Sequence, residues 1–143
     1  MALVRVLARD WVFEVEGTAG TFVPVGGLHT FGLGGTKVDT DTTGFDSEGC
    51  AEHLVTERAH SLTLSGFFIE DLDTGARDPG QKIIDELAIK IGAEAIGNFK
   101  LTSPGGTVYT FSGSVEPAEV GGGKNDVTSW GATITINGKI TVS

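Results

Sequence analysis

Residues Gly32–Glu52 read GLGGTKVDTDTTGFDSEGCAE and separate two β-like runs. They contain five glycines, four threonines and five acids, and Phe45 is the one large aromatic residue among them. A compact domain seldom holds so long a loop without secondary structure unless the loop is functional or disordered. The threonine-rich patch Thr36–Thr43 can instead extend as a strand, which predicts a projecting β arm. Such an arm buries little against its own domain, so we expect its contacts on another subunit. This favours an assembly protein over an enzyme.

The composition is typical of a β-rich globular domain. Of the 143 residues, 39% are hydrophobic and 20% are charged, which argues against disorder. The 22 glycines indicate many turns and bulges. We predict one domain over residues 1–143, a length sufficient for a substantial core.

The charge is strongly acidic and unevenly distributed. The formal net charge is −9, from 19 acids and 10 bases. Residues 10–57 hold nine acids against the single base Lys37, whereas residues 1–9 carry two bases, Arg5 and Arg9, and no acid. An acidic surface repels phosphate, which excludes tight nucleic-acid binding but not the passage of nucleic acid.

The lone cysteine and the N-terminal stretch bear on location. Cys50 has no partner for an intrachain disulfide, which excludes a secreted disulfide scaffold. The stretch Met1–Arg9 is interrupted by Arg5 and is too short for a signal sequence. No apolar run approaches the roughly 20 residues of a spanning helix. We expect a protein that stays in the cytoplasm or assembles there into something larger, without a membrane partner.

Three alternating runs predict strands. Asp10–Gly17 indicates a half-buried strand, and Thr21–Phe31 a second one at a sheet edge or with a bulge, because it contains Pro24 and a Gly-Gly pair. His53–Glu70 predicts a long third strand, followed by a turn. The predicted inward residues are Trp11, Phe13 and Val15 in the first run and Leu62, Leu64 and Phe68 in the third.

One segment predicts a helix. Asp78 is a suitable N-cap and Pro79 suits the first helical position. The predicted apolar stripe comprises Ile83, Ile84, Leu87, Ala88 and Ile91. Either Gly92 or Gly97 is a suitable end for the helix.

The alternation of apolar and polar residues decides the loop length of one hairpin and argues against a second hairpin. A three-residue loop, Pro104–Gly106, pairs Leu101 with Tyr109 and so keeps the apolar residues on one face, whereas a four-residue loop does not. At the C-terminal end, Asn137-Gly138 is a strong hairpin signal. The apolar residues from Trp130 to Val142 nevertheless all occupy even positions, which predicts one long strand kinked at Gly138.

Sites for metals and phosphate are poorly supported. Asp39–Gly44 begins like a calcium loop, but its twelfth position is Cys50 instead of glutamate; an acidic solvated loop fits better, and a weak calcium site stays open. Cys50, His53 and His60 offer only three zinc ligands, and the two histidines differ in strand parity. Gly32–Lys37 lacks the Gly-Lys-Ser/Thr ending of a phosphate loop.

Catalytic arrangements are equally weak. There is no Gly-x-Ser-x-Gly elbow and no arrangement of serine and histidine that suggests a triad. Acid pairs such as Glu14 and Glu16 occur commonly on solvated faces. Trp11 and Trp130 are suitable for stacking on a sugar but are more often core residues. We predict no catalytic residue, no metal site and no cofactor.

The organisation of the chain resembles the major tail tube proteins of long-tailed bacteriophages. The matching parts cover nearly the whole sequence, although each part alone is weakly specific. They are the early strands Trp11–Gly17 and Thr21–Phe31, the acidic arm Gly35–Glu52, the strand around Ser61–Phe68, the helix Pro79–Ile91, the hairpin Phe99–Phe111 and the terminal strand Trp130–Thr141.

This resemblance implies a mainly β fold: a β-sandwich with one flanking α-helix and a long projecting loop or arm. It implies six copies in a ring, rings stacked into a hollow tube, and an arm that reaches a neighbouring ring. The implied partners are other copies of the chain, tail proteins such as the tape measure and tail terminator, and DNA that passes through an acidic lumen without specific binding. The implied location is the virion tail, assembled in the host cytoplasm.

Specific residues follow from this hypothesis. The predicted inter-ring contacts are Thr42, Phe45, Asp46 and Glu48, with Phe45 as the anchor. The candidates for the channel surface are Glu14, Glu16, Thr133 and Thr135, and the sequence leaves open which face looks inward. Closing several sheets into one barrel removes exposed edge strands, and head-to-tail stacking builds an open filament.

Two other functions remain open. A phage head–tail joining protein or capsid decoration protein would share the β-rich, assembling character but form discrete oligomers. A small carbohydrate-binding module would stay monomeric and use Trp11, Tyr109 or Trp130 as a sugar platform.

Overall fold

The computed structural model describes residues 3–143, so Met1 and Ala2 of the N-terminal stretch lie outside the described residues. Within this range eight strands pair antiparallel into one sheet, accompanied by one α-helix. The strands are β1 (Val12–Glu16), β2 (Phe22–Pro24), β3 (Leu28–Asp41), β4 (His53–Phe67), β5 (Gly97–Thr102), β6 (Val108–Pro117), β7 (Ser129–Ile136) and β8 (Thr141–Val142), and the helix is α1 (Pro79–Ala88). The strand order is β2-β1-β5-β6-β7-β4-β3, and β8 pairs with β6.

The sheet folds over on itself and encloses the core. Trp11, next to β1, has its ring centroid 5.5 Å from that of Phe31 in β3 and 6.1 Å from that of Tyr109 in β6. Because β1 and β3 lie near opposite ends of the strand order, these contacts bring the two halves of the sheet face to face. The mainly β, sandwich-like class with one helix is therefore confirmed. The buried core comprises Phe13, Val15, Val25, Leu62, Leu64, Ile84, Leu87, Phe99, Leu101, Phe111, Trp130, Ala132, Ile134 and Ile136.

The predicted start of α1 is confirmed. Asp78 accepts a hydrogen bond from the Gln81 N–H at 3.2 Å, and Pro79 is the first helical residue. The predicted end is wrong, because the helix stops at Ala88 and neither Gly92 nor Gly97 terminates it. Ile91, assigned above to the apolar stripe, is 91% exposed.

The register of the β5–β6 hairpin is confirmed. Leu101 pairs with Tyr109 and Phe99 with Phe111, as a loop of three residues requires. Only one of these four side chains, that of Tyr109, is not fully buried.

The C-terminal segment does not form a hairpin at Asn137-Gly138. Ile136 of β7 pairs with Gly113 of β6, and Thr141 of β8 pairs with Thr110, so the chain continues along β6 in one direction. The kink lies at Gly138, where φ is +86°. The prediction of a kink at Gly138 in place of a hairpin is confirmed, but the predicted single long strand is divided into β7 and β8.

The prediction of one continuous strand over Thr21–Phe31 is wrong, because the chain forms two strands there, β2 and β3, with a break between them. Gly27 has a φ of +78°, and a Cβ there would lie 2.6 Å from the Phe67 carbonyl oxygen. The side chain of Gln81, which is fully buried, also occupies this break: its Nε2 donates to the carbonyl oxygens of Gly26 at 3.0 Å and of Phe67 at 2.7 Å. The break therefore serves as the docking point of α1, a role that no local pattern indicates.

Candidate assembly surfaces

The β3–β4 hairpin forms a projecting arm. We define the arm as Thr36–Ala59, the part beyond the Gly35–His60 pair. All its strand residues, in both β3 and β4, are exposed, because no other layer covers them. The prediction that the threonine-rich patch extends as a strand is confirmed up to Asp41. Of the two alternatives for Gly32–Glu52, a long loop or a projecting arm, the structure has the arm, and its loop is limited to Thr42–Glu52.

A β-bulge at Thr56 changes the faces of the arm. Val38 pairs with Glu57 but Asp39 pairs with Val55, so Thr56 is the extra residue, and its hydroxyl donates to the Val38 carbonyl at 3.0 Å. The bulge reverses the parity of β4. His53 and His60 therefore lie on the same face, opposite Asp41 and Gly35, and the prediction of opposite faces is wrong.

The bulge does not create a zinc site. Asp41 and Gly35, which pair with the two histidines, are six residues apart, which separates the histidines by about 20 Å along the strand. No group of three metal-binding side chains occurs in the part of the chain that the structure describes.

The tip of the arm, Thr42–Glu52, is held by its own hydrogen bonds. The Thr42 N–H donates to the Glu52 carbonyl at 2.9 Å, and the Glu52 N–H donates to the Thr43 hydroxyl at 2.8 Å. Ser47 is buried within the tip, and its hydroxyl accepts from the Gly44 N–H at 3.0 Å. The tip is therefore an ordered structure without support from the core.

Asp41 joins this ordered tip to the arm. Its Oδ1 accepts a hydrogen bond from the Thr43 N–H at 2.8 Å. Hydrogen bonds from the Thr43 hydroxyl and then from its backbone N–H hold the pKa of Asp41 below its ordinary value. At neutral pH the carboxylate therefore fixes the start of the tip.

The structure brings the four predicted contact residues together on this tip. Thr42, Phe45, Asp46 and Glu48 are all exposed. The Phe45 ring has a relative exposure of 111%, more than a phenylalanine in an extended peptide. An apolar ring on a hydrogen-bonded loop, with two acids close by in sequence, is suited to insertion into a partner.

Two of the channel candidates lie on a broad polar surface. Thr135 is flanked by Ser61 of β4 and Ser114 of β6, and Thr133 by Thr63 and Glu116. Gly34 and Gly32 of β3 extend these two rows of residues across a fourth strand. We call this β3-β4-β7-β6 surface the hydroxyl face, because Glu116 is the one charged residue in the two rows.

The other two candidates lie elsewhere on the sheet. Glu14 and Glu16 belong to β1, which is separated from β7 by β5 and β6. Glu16 accepts hydrogen bonds from Asn98 Nδ2 at 2.9 Å and from the Gly20 N–H at 3.0 Å, and these two interactions, in that order, lower its pKa. Glu14 faces Lys100 across β1 and β5, where a base stands beside the acid. The structure therefore does not unite the four candidates in one surface.

The structure contains two concave surfaces that the sequence does not predict. The first, the β1–β3 crevice, has a volume of about 350 Å³ between the start of β3 and the start of β1. Its apolar lining includes Trp11, Phe13, Val25, Leu28, Phe31 and Leu101, and Arg9 and His29 line it as well. The second, the arm-base hollow, measures about 890 Å³ and is lined by residues that include Leu33, Tyr109, Ile136, Ile140, Arg58 and Lys139. Both join residues distant in sequence, so no local motif could have indicated them.

The aromatic residues proposed for sugar binding do not form an open platform. Trp130 is 2% exposed, and its Nε1 donates to Asp85 Oδ1 at 3.0 Å. Trp11 is half-buried between Phe31 and Tyr109. These contacts place both tryptophans in or beside the core. The one α-helix among residues 3–143 is too short to cross a membrane.

The comparisons with known proteins rest on structure. No protein-family model and no curated protein matches the sequence. A chain from the virion of a native gene transfer agent particle superposes with a TM-score of 0.72 at 16% identity, covering 97% of this chain and 99% of that one. A chain of the SPP1 tail tube gives a TM-score of 0.71 at 13% identity over 96% of this chain and 78% of that one. A chain from the six-fold symmetrised baseplate of the anti-feeding prophage gives 0.65 at 12% identity over 99% and 97%. The chain has the fold of these tail and virion components, and the resemblance to tail tube proteins is confirmed at the level of fold.

Proposed function

We propose that this chain is a structural virion protein, without catalytic activity, that forms hexameric rings stacked into a hollow tail tube. The observation that carries the proposal is the arm: an exposed ribbon that ends in an ordered, acidic tip with a fully exposed phenylalanine. Such a feature has no use within the protomer. The fold shared with tail components supports the proposal, and the tail of the empty gene transfer agent particle was refined with C6 symmetry.

The free edge of β3 supports ring formation. β3 is 14 residues long and is the last strand in the order, so one of its two edges has no partner strand in the protomer. Long exposed edges pair with other chains unless they are covered. Joining β3 of one copy to the sheet of the next would remove this edge and close the sheets into a barrel.

The hydroxyl face is the better candidate for the channel surface. In a closed barrel of β3-β4-β7-β6 sheets, the bulkier layer with β1, β2 and α1 has more room outside than inside. Thr133 and Thr135 then look into the channel, whereas Glu14 and Glu16 do not. The two rows around these threonines contain no lysine or arginine, so they offer phosphate no cation to bind. DNA would pass such a wall without specific contacts.

The remaining parts of the proposal concern partners and place. A tube of fixed length needs proteins at its ends and inside it, and we propose a tail terminator and a tape measure as these partners. Assembly would occur in the host cytoplasm before the tail joins the virion. A head–tail joining protein or a capsid decoration protein would instead stop at a discrete oligomer.

Replacement of the tip tests the proposal. Asp41 and His53 are directly paired, so Thr42–Glu52 can be exchanged for Asn-Gly, which closes a two-residue hairpin. We expect the wild-type protein to form tubes at rising concentration in electron micrographs. The shortened variant should keep the circular dichroism spectrum of a folded sheet but form no tubes, and the control Cys50→Ser should form them normally. Tubes from the shortened variant, or only discrete oligomers from the wild type, would contradict the proposal.

A further inference from the structure

We propose that the β1–β3 crevice is the receptor for Phe45 of another copy of the chain, placed in the adjacent ring. This inference rests on the proposed function and adds to it the surface that the tip binds. The occupant is the tip of a second copy, with the ring of Phe45 inside the crevice and its acidic neighbours at the rim.

The shape and the chemistry of the crevice fit an aromatic ring. A cavity of about 150 Å³ is enough to bind benzene in a protein core, and the crevice offers about 350 Å³. Trp11 and Phe31, with ring centroids 5.5 Å apart, are part of its wall, and aromatic side chains pack well against one another. The floor includes the buried side chains of Phe13 and Leu101.

The charges of the two surfaces are complementary. Phe45 is followed by Asp46 and Glu48, and the tip and the adjoining strand end also carry Asp41 and Glu52. The crevice is lined by the exposed Arg9, and the described segment before β1 contains a second base, Arg5, and one acid, Asp10. The basic segment and the acidic arm are not neighbours in the protomer sheet, so their opposite charges are available to pair between copies.

The position of the crevice fits head-to-tail stacking. Leu28 and Phe31 at the start of β3 line the crevice, whereas the end of β3 leads into the tip. The 14 residues of β3 separate these two surfaces by about 43 Å at 3.3 Å per residue. A contact between opposite ends of the same strand is head-to-tail, and such contacts give an open filament where the rotation between copies does not close a ring. The arm-base hollow lies at the same end as the arm, so binding of the tip there would place two protomers side by side instead.

Engineered disulfides distinguish the two receptors. In a Cys50→Ser background, we would combine Asp46→Cys with His29→Cys at the crevice, and as a matched control Asp46→Cys with Lys139→Cys at the hollow. Assembled under mild oxidation, the crevice pair should give a ladder of covalent oligomers longer than six chains on a non-reducing gel. The control pair and each single-cysteine variant should give no species beyond a dimer.

A charge exchange provides an independent test. Arg9→Glu should raise the critical concentration for tube growth at least tenfold, and adding Asp46→Lys should restore it to within about threefold of the wild type. Tubes that form without a ladder from the crevice pair, or with a ladder from the hollow pair, would overturn this inference and leave the proposed function standing. If the wild-type protein forms no tubes at all, the proposed function fails and the inference fails with it.

Discussion

Truncation of Phe45 to alanine should weaken assembly without changing the stability of the protomer. The ring has a relative exposure of 111%, so the folded protomer gains no burial from it. The hydrogen bonds that hold the tip use backbone groups and the side chains of Asp41, Thr43 and Ser47, and the variant keeps all of them. Any effect of Phe45→Ala must therefore come from contacts with other copies.

The size of the effect follows from the burial of one side chain. Complete burial of a phenylalanine side chain contributes about 1.5–3 kcal/mol. Each subunit that joins a tube would insert one Phe45, so this is the free energy lost per added subunit. Since each 1.4 kcal/mol changes an equilibrium constant about tenfold, the critical concentration should rise about 10- to 150-fold.

Sedimentation of assembled tubes measures this quantity. The protein that stays in the supernatant reaches a plateau at the critical concentration, and the thermal midpoint of dilute protomer reports folding. Leu72→Ala is the matched control, because Leu72 is 91% exposed but lies in the turn before α1 and not on the arm. An unchanged plateau for Phe45→Ala, or an equal rise for Leu72→Ala, would refute the reasoning.

Three further predictions concern the protomer. Gln81→Met should lower the free energy of unfolding in urea by about 2–3 kcal/mol, because it removes a buried amide that donates to the carbonyl oxygens of Gly26 and Phe67, and a loss below about 1 kcal/mol would contradict this role. Trp130→Phe should cost about 1–3 kcal/mol in the same assay, because it removes the hydrogen bond to Asp85 and leaves space in the core, and stability equal to the wild type would contradict it. Asn98→Ala should raise the pKa of Glu16 in a carboxyl NMR titration, because Asn98 is the main cause of its lowering, and an unmoved titration would contradict the assignment. Since the native pKa of Glu16 is lowered, its stabilising effect is present above the unfolded-state pKa and is lost as the pH falls through the lowered native pKa. In the variant this effect should be smaller, and its loss should be complete at a higher pH.

The strand register was predicted correctly where each of two paired strands must place its apolar residues on the buried face. The loop at Pro104–Gly106 was predictable because only one loop length keeps Leu101 and Phe99 opposite apolar partners. At Asn137-Gly138 the same test outweighed a strong local turn signal, because a hairpin would have moved buried side chains to the solvent. A one-residue shift reverses every side chain of a strand, so the pattern of faces specifies register more strongly than turn composition does.

The errors arose where tertiary contacts override local pattern. The apolar spacing continues through Ile91, yet α1 ends at Ala88, and the chain turns back so that β5 can begin at Gly97 beneath Leu87. The break between β2 and β3 is occupied by the side chain of Gln81 from the helix, and no pattern in the sequence around the break indicates this contact. The bulge at Thr56 has no sequence signal either, and it reversed the predicted relation of the two histidines.

The sequence likewise predicts one part of the candidate site and not the other. The existence and the exposure of the arm were predictable, because its composition offers too few apolar residues to be buried. Its proposed receptor was not, because the β1–β3 crevice forms only when the two ends of the strand order meet. A surface made of residues from Arg9 to Leu101 is a product of topology, and it can be recognised only after the sheet has folded over.

The weakness of the arm in the protomer is itself an argument for its role. A two-stranded ribbon is at best marginally stable in water, and this one has no buried strand residue beyond the Gly35–His60 pair. Apart from the hydrogen bonds of the tip, its side-chain interactions include the Thr56 hydrogen bond at 3.0 Å and the Lys37–Asp39 ion pair at 3.3 Å, and an exposed pair of this kind adds at most about 1 kcal/mol. In the proposed tube, a neighbouring copy would cover this ribbon and add the burial that it lacks in the protomer. Because the strand residues of the arm bury nothing in the protomer, substitutions there should alter tube growth before they alter the folding of the sandwich.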